Sequence, residues 1–199
     1  MIYIYEEPKN NAPIYVLFHG TGGDEHDLVP LVKAMHPDAG VLSLRGEVNE
    51  HGMNRFFKRI RPGVFDLEDL ARRTNDINQF LDEVSKKYDF KKQDLIAIGY
   101  SNGANMIASL LMQCGPIIKG AVLMHPMVPR RDLDKQDLSD ISILVTAGKH
   151  DAICPVSETN DLVTLLTEMN ANILVKWFSG GHEITQYEVE TIKDWINAF

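Results

Sequence analysis

A Gly-x-Ser-x-Gly pattern at residues 99–103 is the segment of this sequence best suited to nucleophilic chemistry. It directly follows the apolar run 95–98 and opens a second, strongly apolar stretch, as a strand–turn–helix elbow requires. The two glycines remove Cβ atoms that would crowd so sharp a turn, and the turn would expose the hydroxyl of Ser101. A serine that only caps the following helix is the alternative. We predict that Ser101 is a nucleophile.

A serine nucleophile also needs a histidine to take its proton and, in most cases, a carboxylate behind that histidine. With a Gly-x-Ser-x-Gly elbow, the chain order is serine, acid, histidine. Asp151 follows the predicted strand 142–147, and His182 follows the predicted strand 173–178 after two glycines. Asp151 could instead be a turn residue before Pro155. The order favours Asp151 as the acid and His182 as the general base.

The chain has seven histidines, so other bases must be weighed. His125 is the strongest rival, because it ends the predicted strand 120–124 at the same edge of the sheet. We rank it below His182 because it precedes Asp151 in the chain. His150 is a direct neighbour of the proposed acid. Three more are expected at the surface: His26, His36 and His51.

An oxyanion on the substrate carbonyl needs two N–H donors. The amide of Asn102 would supply one from the start of the helix, where the helix dipole favours negative charge. We expect the other from the amide of Thr21, in the glycine-rich segment 18–23 after the second predicted strand. A phosphate-binding loop is the alternative reading of this segment, but the glycine spacing fits neither G-x-G-x-x-G nor a Walker pattern.

Short β-rich runs alternate with longer segments of helical periodicity, which predicts a parallel sheet covered by helices on both faces. The predicted strands are 2–5, 14–18, 40–44, 95–99, 120–124, 142–147 and 173–178. Apolar residues recur at three- or four-residue steps over 67–88, and the last helix has an apolar side that ends at Phe199. We predict one domain over 1–199, an α/β-hydrolase fold with a mostly parallel central sheet of about seven strands flanked by helices and no large cap domain. The long stretch 45–64 is predicted to be irregular and to lie over a functional edge.

Composition limits the partners. A chain of 199 residues with 44% hydrophobic content is long enough to bury one core. Its net charge of −8 disfavours nucleic acid as a ligand. The apolar runs are too short for a membrane span, and acidic residues stand where a signal peptide would be basic, so we expect a cytoplasmic protein. The two cysteines are expected to be reduced thiols. We expect no cofactor and no metal, and a homodimer stays open.

Four motifs together resemble the phospholipase/carboxylesterase family, which includes small bacterial carboxylesterases and acyl-protein thioesterases. They are Phe18-His19-Gly20-Thr21-Gly22-Gly23, Gly99-Tyr100-Ser101-Asn102-Gly103, Gly148-Lys149-His150-Asp151 and Gly181-His182. Further segments are most similar to the bacterial branch of hydroquinone- or quinone-linked hydrolases: Arg45-Gly46, Arg55-Phe56-Phe57, Phe65-Asp66-Leu67 and the run 125–131. The resemblance implies a carboxylesterase that cleaves small or aromatic esters through an acyl-enzyme on Ser101. Acyl-protein thioesterase, lysophospholipase-type and hydroquinone-linked detoxification activities are its alternatives.

Apolar side chains that could line a substrate pocket are Met53, Phe56 and Phe57 in the stretch 45–64, and Met127 after the fifth predicted strand. Aromatic and Met residues at this spacing are more often core than pocket lining, and both roles stay open here. Two further functions differ in class from ester hydrolysis. A metal-dependent lyase or dioxygenase-like activity on an aromatic ring would reveal itself by dependence on a divalent cation. A non-catalytic small-molecule receptor on the same scaffold would leave Ser101 unreactive.

Overall fold

A seven-stranded sheet forms the centre of the computed structural model, which describes residues 1–198. The strand order is β1-β3-β2-β8-β9-β10-β11, with β1 antiparallel to β3 and the other neighbours parallel. The strands are β1 (Tyr3–Glu6), β2 (Ile14–Phe18), β3 (Gly40–Leu44), β4 (Val48–Glu50), β5 (Met53–Arg55), β6 (Arg59–Arg61), β7 (Val64–Phe65), β8 (Ile96–Tyr100), β9 (Gly120–Met124), β10 (Ser142–Gly148) and β11 (Asn172–Phe178). The helices are α1 (Val29–Met35), α2 (Leu67–Lys87), α3 (Asn102–Cys114), α4 (Val156–Glu168) and α5 (Gln186–Asn197). The mostly parallel sheet of about seven strands is confirmed, and Phe199 lies outside the described residues.

Helices cover both faces of the sheet, which divides the core into two layers. Side chains from α2, α3 and α4 fill the larger layer, and α1 and α5 close the other. Helix α2 shows how the sequence sets an element: it buries the stripe Leu70, Ile77 and Leu81, and Asp66 caps its first turn by accepting a hydrogen bond from the amide of Asp69. Helix α3 is buried almost all round, because it packs between α2 and the strands β8 and β9.

The stretch 45–64 is ordered, so the prediction of an irregular segment is wrong. It contains the antiparallel ribbon β4–β5 and the strand β6, which pairs with β7. His51 and Gly52 connect β4 to β5, and both have positive φ angles, as the tightest hairpin turns require. The strands have only two or three residues each, too few for an alternating pattern to stand out in the sequence. Several main-sheet strands also differ from their predicted bounds by one residue.

Six parallel strands end at one edge of the sheet, and the chemically interesting residues follow five of them. Ser101 comes directly after β8, and His125 directly after β9. Asp151 and His182 follow β10 and β11, and the glycine-rich segment 19–23 follows β2. None of the helices within residues 1–198 combines the length and the apolar character needed to cross a bilayer.

Candidate active site

Ser101 stands at a strained turn between β8 and α3. Its φ and ψ angles are 52° and −112°, a conformation that L-residues rarely adopt. The neighbouring glycines make the turn sterically feasible. A Cβ atom on Gly103 would collide with the carbonyl of Phe18, and one on Gly99 would come within 2.6 Å of the Ile107 side chain. The elbow predicted from the Gly-x-Ser-x-Gly pattern is therefore present.

Ser101, His182 and Asp151 form a continuous chain of hydrogen bonds. The Oγ atom of Ser101 lies 2.9 Å from Nε2 of His182, and Nδ1 of His182 lies 2.7 Å from Oδ2 of Asp151. The other carboxylate oxygen, Oδ1, accepts from the amides of Ile153 and Cys154 at 2.8 Å each. Burial raises the pKa of the Asp151 carboxyl, but these amide bonds and the bond from His182 outweigh it and hold the pKa below its usual range. Asp151 is thus an ionised acceptor that fixes the ring of His182.

The loop that carries His182 is fixed from below by Tyr100. The phenol of Tyr100 donates a hydrogen bond of 2.5 Å to the carbonyl of His182. Burial, followed by the charge of Asp151, raises the pKa of Tyr100 to about 12, so the phenol remains a donor at neutral pH. Backbone packing adds a second constraint, since a Cβ atom on Gly148 would strike the carbonyl of Gly181.

The backbone amides of Thr21 and Asn102 have no hydrogen-bond acceptor within residues 1–198. Asn102 is the first residue of α3, so its N–H lacks a partner within the helix. Among the described residues, neither amide donates to a backbone carbonyl, and both residues border the same cleft as Ser101. His19 shapes this region, because its Nε2 accepts from the amide of Gly46 at 2.9 Å and its Nδ1 donates to the carbonyl of Gly20 at 2.6 Å. The arrangement leaves two donors available beside the serine.

His125, the rival base, forms hydrogen bonds with Asp151 and Glu188, whereas Ser101 Oγ bonds to His182. Its Nδ1 lies 3.1 Å from Oδ2 of Asp151, and its Nε2 lies 3.3 Å from Oε2 of Glu188 on α5. His125, Asp151 and Glu188 are all buried. His125, Asp151 and His182 also form the one cluster within residues 1–198 that could offer three donor atoms to a metal, but those atoms already bind one another through hydrogen bonds.

A cleft of about 480 Å³ opens beside Ser101, within the size range of small-molecule sites. Polar and apolar side chains share its wall. Its lining includes Thr21, Arg55, Arg59, Phe65, Asn105, Met127, Ile153 and Pro155. Asn102, at the start of α3, borders the cleft as predicted for an oxyanion donor. So do Thr21, predicted to bind the oxyanion, and Met127, predicted to bind the substrate.

Phe56 and Phe57 lie in the core and do not border the cleft. Both side chains are almost fully inaccessible, and the ring of Phe56 packs against the ring of Phe18. The amide of Phe56 donates to the side chain of Asn102 at 2.7 Å, which ties this segment to the elbow. Met53 is exposed and lies outside the cleft lining, next to the glycine-rich segment: a Cβ atom added to Gly22 would lie 3.7 Å from its Cγ. The two aromatic rings thus support the wall from behind.

The cleft wall carries excess positive charge, which the sequence analysis did not anticipate. Arg55 and Arg59 both border the cleft, and Glu50 is their shared carboxylate. Arg55 also donates to the hydroxyl of Thr21 at 2.6 Å. Burial, together with the charge of Arg59, lowers the pKa of Arg55, while Glu50 acts in the opposite direction. Two cations against one carboxylate leave one net positive charge at this wall.

A larger hollow of about 880 Å³ lies at the opposite edge of the sheet, bordered by Pro13, Phe90 and Ile196. Ser101, Asp151 and His182 are not among the residues that line it. The smaller cleft is therefore the candidate substrate site, because it borders Ser101 at the edge where β8, β10 and β11 end.

A comparison with protein families agrees with this geometry. The model of the dienelactone hydrolase family matches residues 3–190. The chain belongs to the dienelactone hydrolase family. MhqD of Bacillus subtilis (strain 168), described as a hydrolase, is 44% identical over 195 residues, which are 98% of this chain and 97% of that relative.

Solved structures of relatives share the whole architecture of this dienelactone hydrolase family member. The carboxylesterase of Bacillus cereus has a TM-score of 0.95 at 46% identity, covering 98% of this chain and 93% of the other. A structure of YahD with malic acid has a TM-score of 0.91 at 29% identity, covering 99% and 98%. The resemblance to a hydrolase family with bacterial carboxylesterases is confirmed, and so is the α/β-hydrolase fold.

Proposed function

We propose that this protein is a carboxylesterase that hydrolyses small esters through an acyl-enzyme on Ser101. The observation that carries the proposal is the hydrogen-bonded chain from Ser101 through His182 to Asp151, which ends beside an open cleft. The carboxylesterase of Bacillus cereus, similar over nearly its whole length, supports the same reaction class.

Each residue has a separate part in the proposed reaction. His182 accepts the proton of Ser101 as Oγ attacks the ester carbonyl, and Asp151 stabilises the imidazolium that forms. The amides of Thr21 and Asn102 donate to the oxyanion of the tetrahedral intermediate. His182 then protonates the departing alcohol, and water activated by the same ring releases the acid. These steps need no metal and no organic cofactor.

Covalent labelling tests the proposal against a receptor without catalysis. A fluorophosphonate probe should modify Ser101 in the wild-type protein and leave Ser101→Ala unlabelled, because only an activated serine attacks phosphorus at neutral pH. Ser157→Ala, which makes the same change at an exposed serine on α4, is the matched control and should label like wild type. Absence of labelling in folded wild-type protein would favour the receptor.

A second candidate concerns the substrate: esters that also carry a carboxylate. Arg55 and Arg59 give the wall a net positive charge, and planar guanidinium groups match carboxylates well. The related YahD has been solved with malic acid, a dicarboxylic acid. A monoester of a dicarboxylic acid would place its ester at Ser101 and its free carboxylate at the arginines.

The arginine proposal has a direct kinetic test. Arg59→Gln should raise KM about tenfold for a dicarboxylic monoester, the size of a lost charge-assisted hydrogen bond, and leave KM for a neutral ester of equal length unchanged. Lys58→Gln is the control, since Lys58 is exposed and does not border the cleft. Equal losses on both esters would contradict recognition of the carboxylate.

The thioesterase and quinone-linked alternatives, the cytoplasmic location and a homodimer stay predictions.

A further inference from the structure

Behind the proposed acid lies a second pair of titratable side chains, His125 and Glu188, that ester hydrolysis as described does not use. His125 follows β9 with a φ angle of 51°, an unfavourable conformation for a residue with a Cβ atom. Glu188 lies in the first turn of α5 and points inward. Burying a charged group without a partner is costly, so the buried side chains of His125 and Glu188 require hydrogen-bond partners that offset the loss of water.

The hydrogen-bond geometry determines where the protons are. Both ring nitrogens of His125 face carboxylate oxygens, Nδ1 that of Asp151 and Nε2 that of Glu188. Two acceptors cannot bind without a proton between them, so one proton lies on each side of the ring. Nδ1 of His125 therefore donates to Asp151.

This donation gives Asp151 a complete set of partners. Oδ2 accepts from His182 and from His125, and Oδ1 accepts from the amides of Ile153 and Cys154. Four donors in fixed directions leave the carboxylate no freedom to rotate. The negative charge of Asp151 therefore stabilises two imidazole rings, those of His182 and His125, and not one alone.

We propose that His125 and Glu188 form a buried dyad that positions Asp151 for His182 and tunes the pH at which the site becomes active. The dyad acts through Asp151 and does not touch the substrate. The proposal rests on the proposed function, because Asp151 must serve the reaction at Ser101.

The surroundings of His125 define which charges act on it. Asp151 and Glu188 are the two carboxylates in contact, and Glu183 contributes from an exposed position. The rings of His182 and Tyr100 lie with their centroids 5.3 and 5.9 Å away. The neighbouring thiol of Cys154 donates to the backbone carbonyl of His125. Burial lowers the pKa of His125, but its bonds to Glu188 and Asp151 outweigh this and raise the pKa above its ordinary value, so the ring favours its protonated form.

The variants must avoid leaving a charge buried alone. Within residues 1–198, Oε1 of Glu188 already lacks a hydrogen-bond partner, so His125→Ala by itself would leave an isolated carboxylate in the core. Glu188→Gln removes that charge. On this background, His125→Asn keeps a donor, because Nδ2 of asparagine occupies the place of Nδ1 and asparagine tolerates a positive φ angle. His125→Ala removes the donor.

Two double variants are compared: Glu188→Gln with His125→Ala (the Ala pair) and Glu188→Gln with His125→Asn (the Asn pair). The Ala pair should have a kcat about tenfold or more below that of the Asn pair, with KM within about twofold, as expected for a misplaced catalytic group. Without the second donor, Asp151 stabilises the imidazolium of His182 more strongly. The acid limb of the kcat/KM profile should therefore move to higher pH in the Ala pair and return toward the Glu188→Gln position in the Asn pair. Equal kcat and equal profiles in the two folded pairs would overturn the proposal.

A measurement on the wild-type protein avoids any dependence on how the variants fold. With nitrogen-15-labelled histidine, the NMR spectrum should show Nδ1 of His125 protonated throughout the pH range of activity. An unprotonated Nδ1 would overturn the proposal. Ser101→Ala, assayed in parallel, separates the two levels: retained turnover there counts against the proposed function, whereas lost turnover with an unaffected Ala pair counts against the dyad alone.

Discussion

At the scale of residues, the assignment of roles turns on which histidine reaches the serine. His182 lies 2.9 Å from Ser101 Oγ, whereas His125 meets the carboxylate of Asp151 from the other side. The order of residues in the sequence could favour His182 but could not reveal what His125 does. Both histidines follow strands that end at the same edge, and only their ring contacts distinguish the proposed base from the proposed positioning group.

Loss of His182 should therefore cost far more than loss of His125. His182→Ala should lower kcat by several orders of magnitude, about as much as Ser101→Ala, because the members of a triad act as a unit. His125→Asn combined with Glu188→Gln should cost much less, since a donor to Asp151 remains. Steady-state kinetics on one activated ester compares the three variants, and the reverse ranking would reject His182 as the base.

Glu188 shows what the sequence could not foretell at this scale. The pattern Thr-x-x-Glu at 185–188 is typical of a capping box, in which the glutamate binds the backbone at the helix start. Thr185 does accept from the amide of Glu188, but the carboxylate of Glu188 reaches His125 instead. Arg55 and Arg59 were equally hidden, because their place at the cleft depends on ribbons too short to predict.

At the scale of elements, the site is assembled by loops that follow parallel strands. Most strands were predictable, because long apolar β-rich runs such as β9 and β10 leave no competing periodicity. The placement of Phe56 and Phe57 was not, since they lie between strands of two or three residues, in a segment tied to the elbow by the hydrogen bond from the Phe56 amide to Asn102. An apolar side chain in a loop can turn toward either the core or the cleft, and composition does not distinguish the two.

The contact between β8 and the loop after β11 gives an element-scale prediction. Tyr100→Phe removes the donor to the carbonyl of His182 while keeping the packed ring. We expect kcat to fall about tenfold with little change in KM, because the position of His182 loosens while the cleft is untouched. Tyr187→Phe is a suitable control, since Tyr187 is an exposed tyrosine on α5. Unchanged kcat in Tyr100→Phe would show that backbone packing alone holds the loop.

At the scale of the whole molecule, the size of the cleft should limit the substrate. A volume of about 480 Å³ with Phe65 and Met127 in its wall suits short acyl groups or a flat aromatic alcohol. We expect kcat/KM to rise through acyl chains of roughly two to six carbons, each methylene adding at most about 0.8 kcal/mol, and then to fall. Met127→Ala should move the optimum to longer chains. A constant that keeps rising through long-chain esters would point to lysophospholipase-type activity.

The central claim is that Ser101 carries the acyl group during turnover. Rapid quenching of the protein with an excess of a short activated ester, followed by proteolysis and mass spectrometry, detects that species directly. The account predicts a peptide containing Ser101 with the mass of the acyl group added, which is absent in Ser101→Ala and decays at a rate consistent with kcat. An acyl group found on another residue, or turnover that continues in folded Ser101→Ala, would contradict the account.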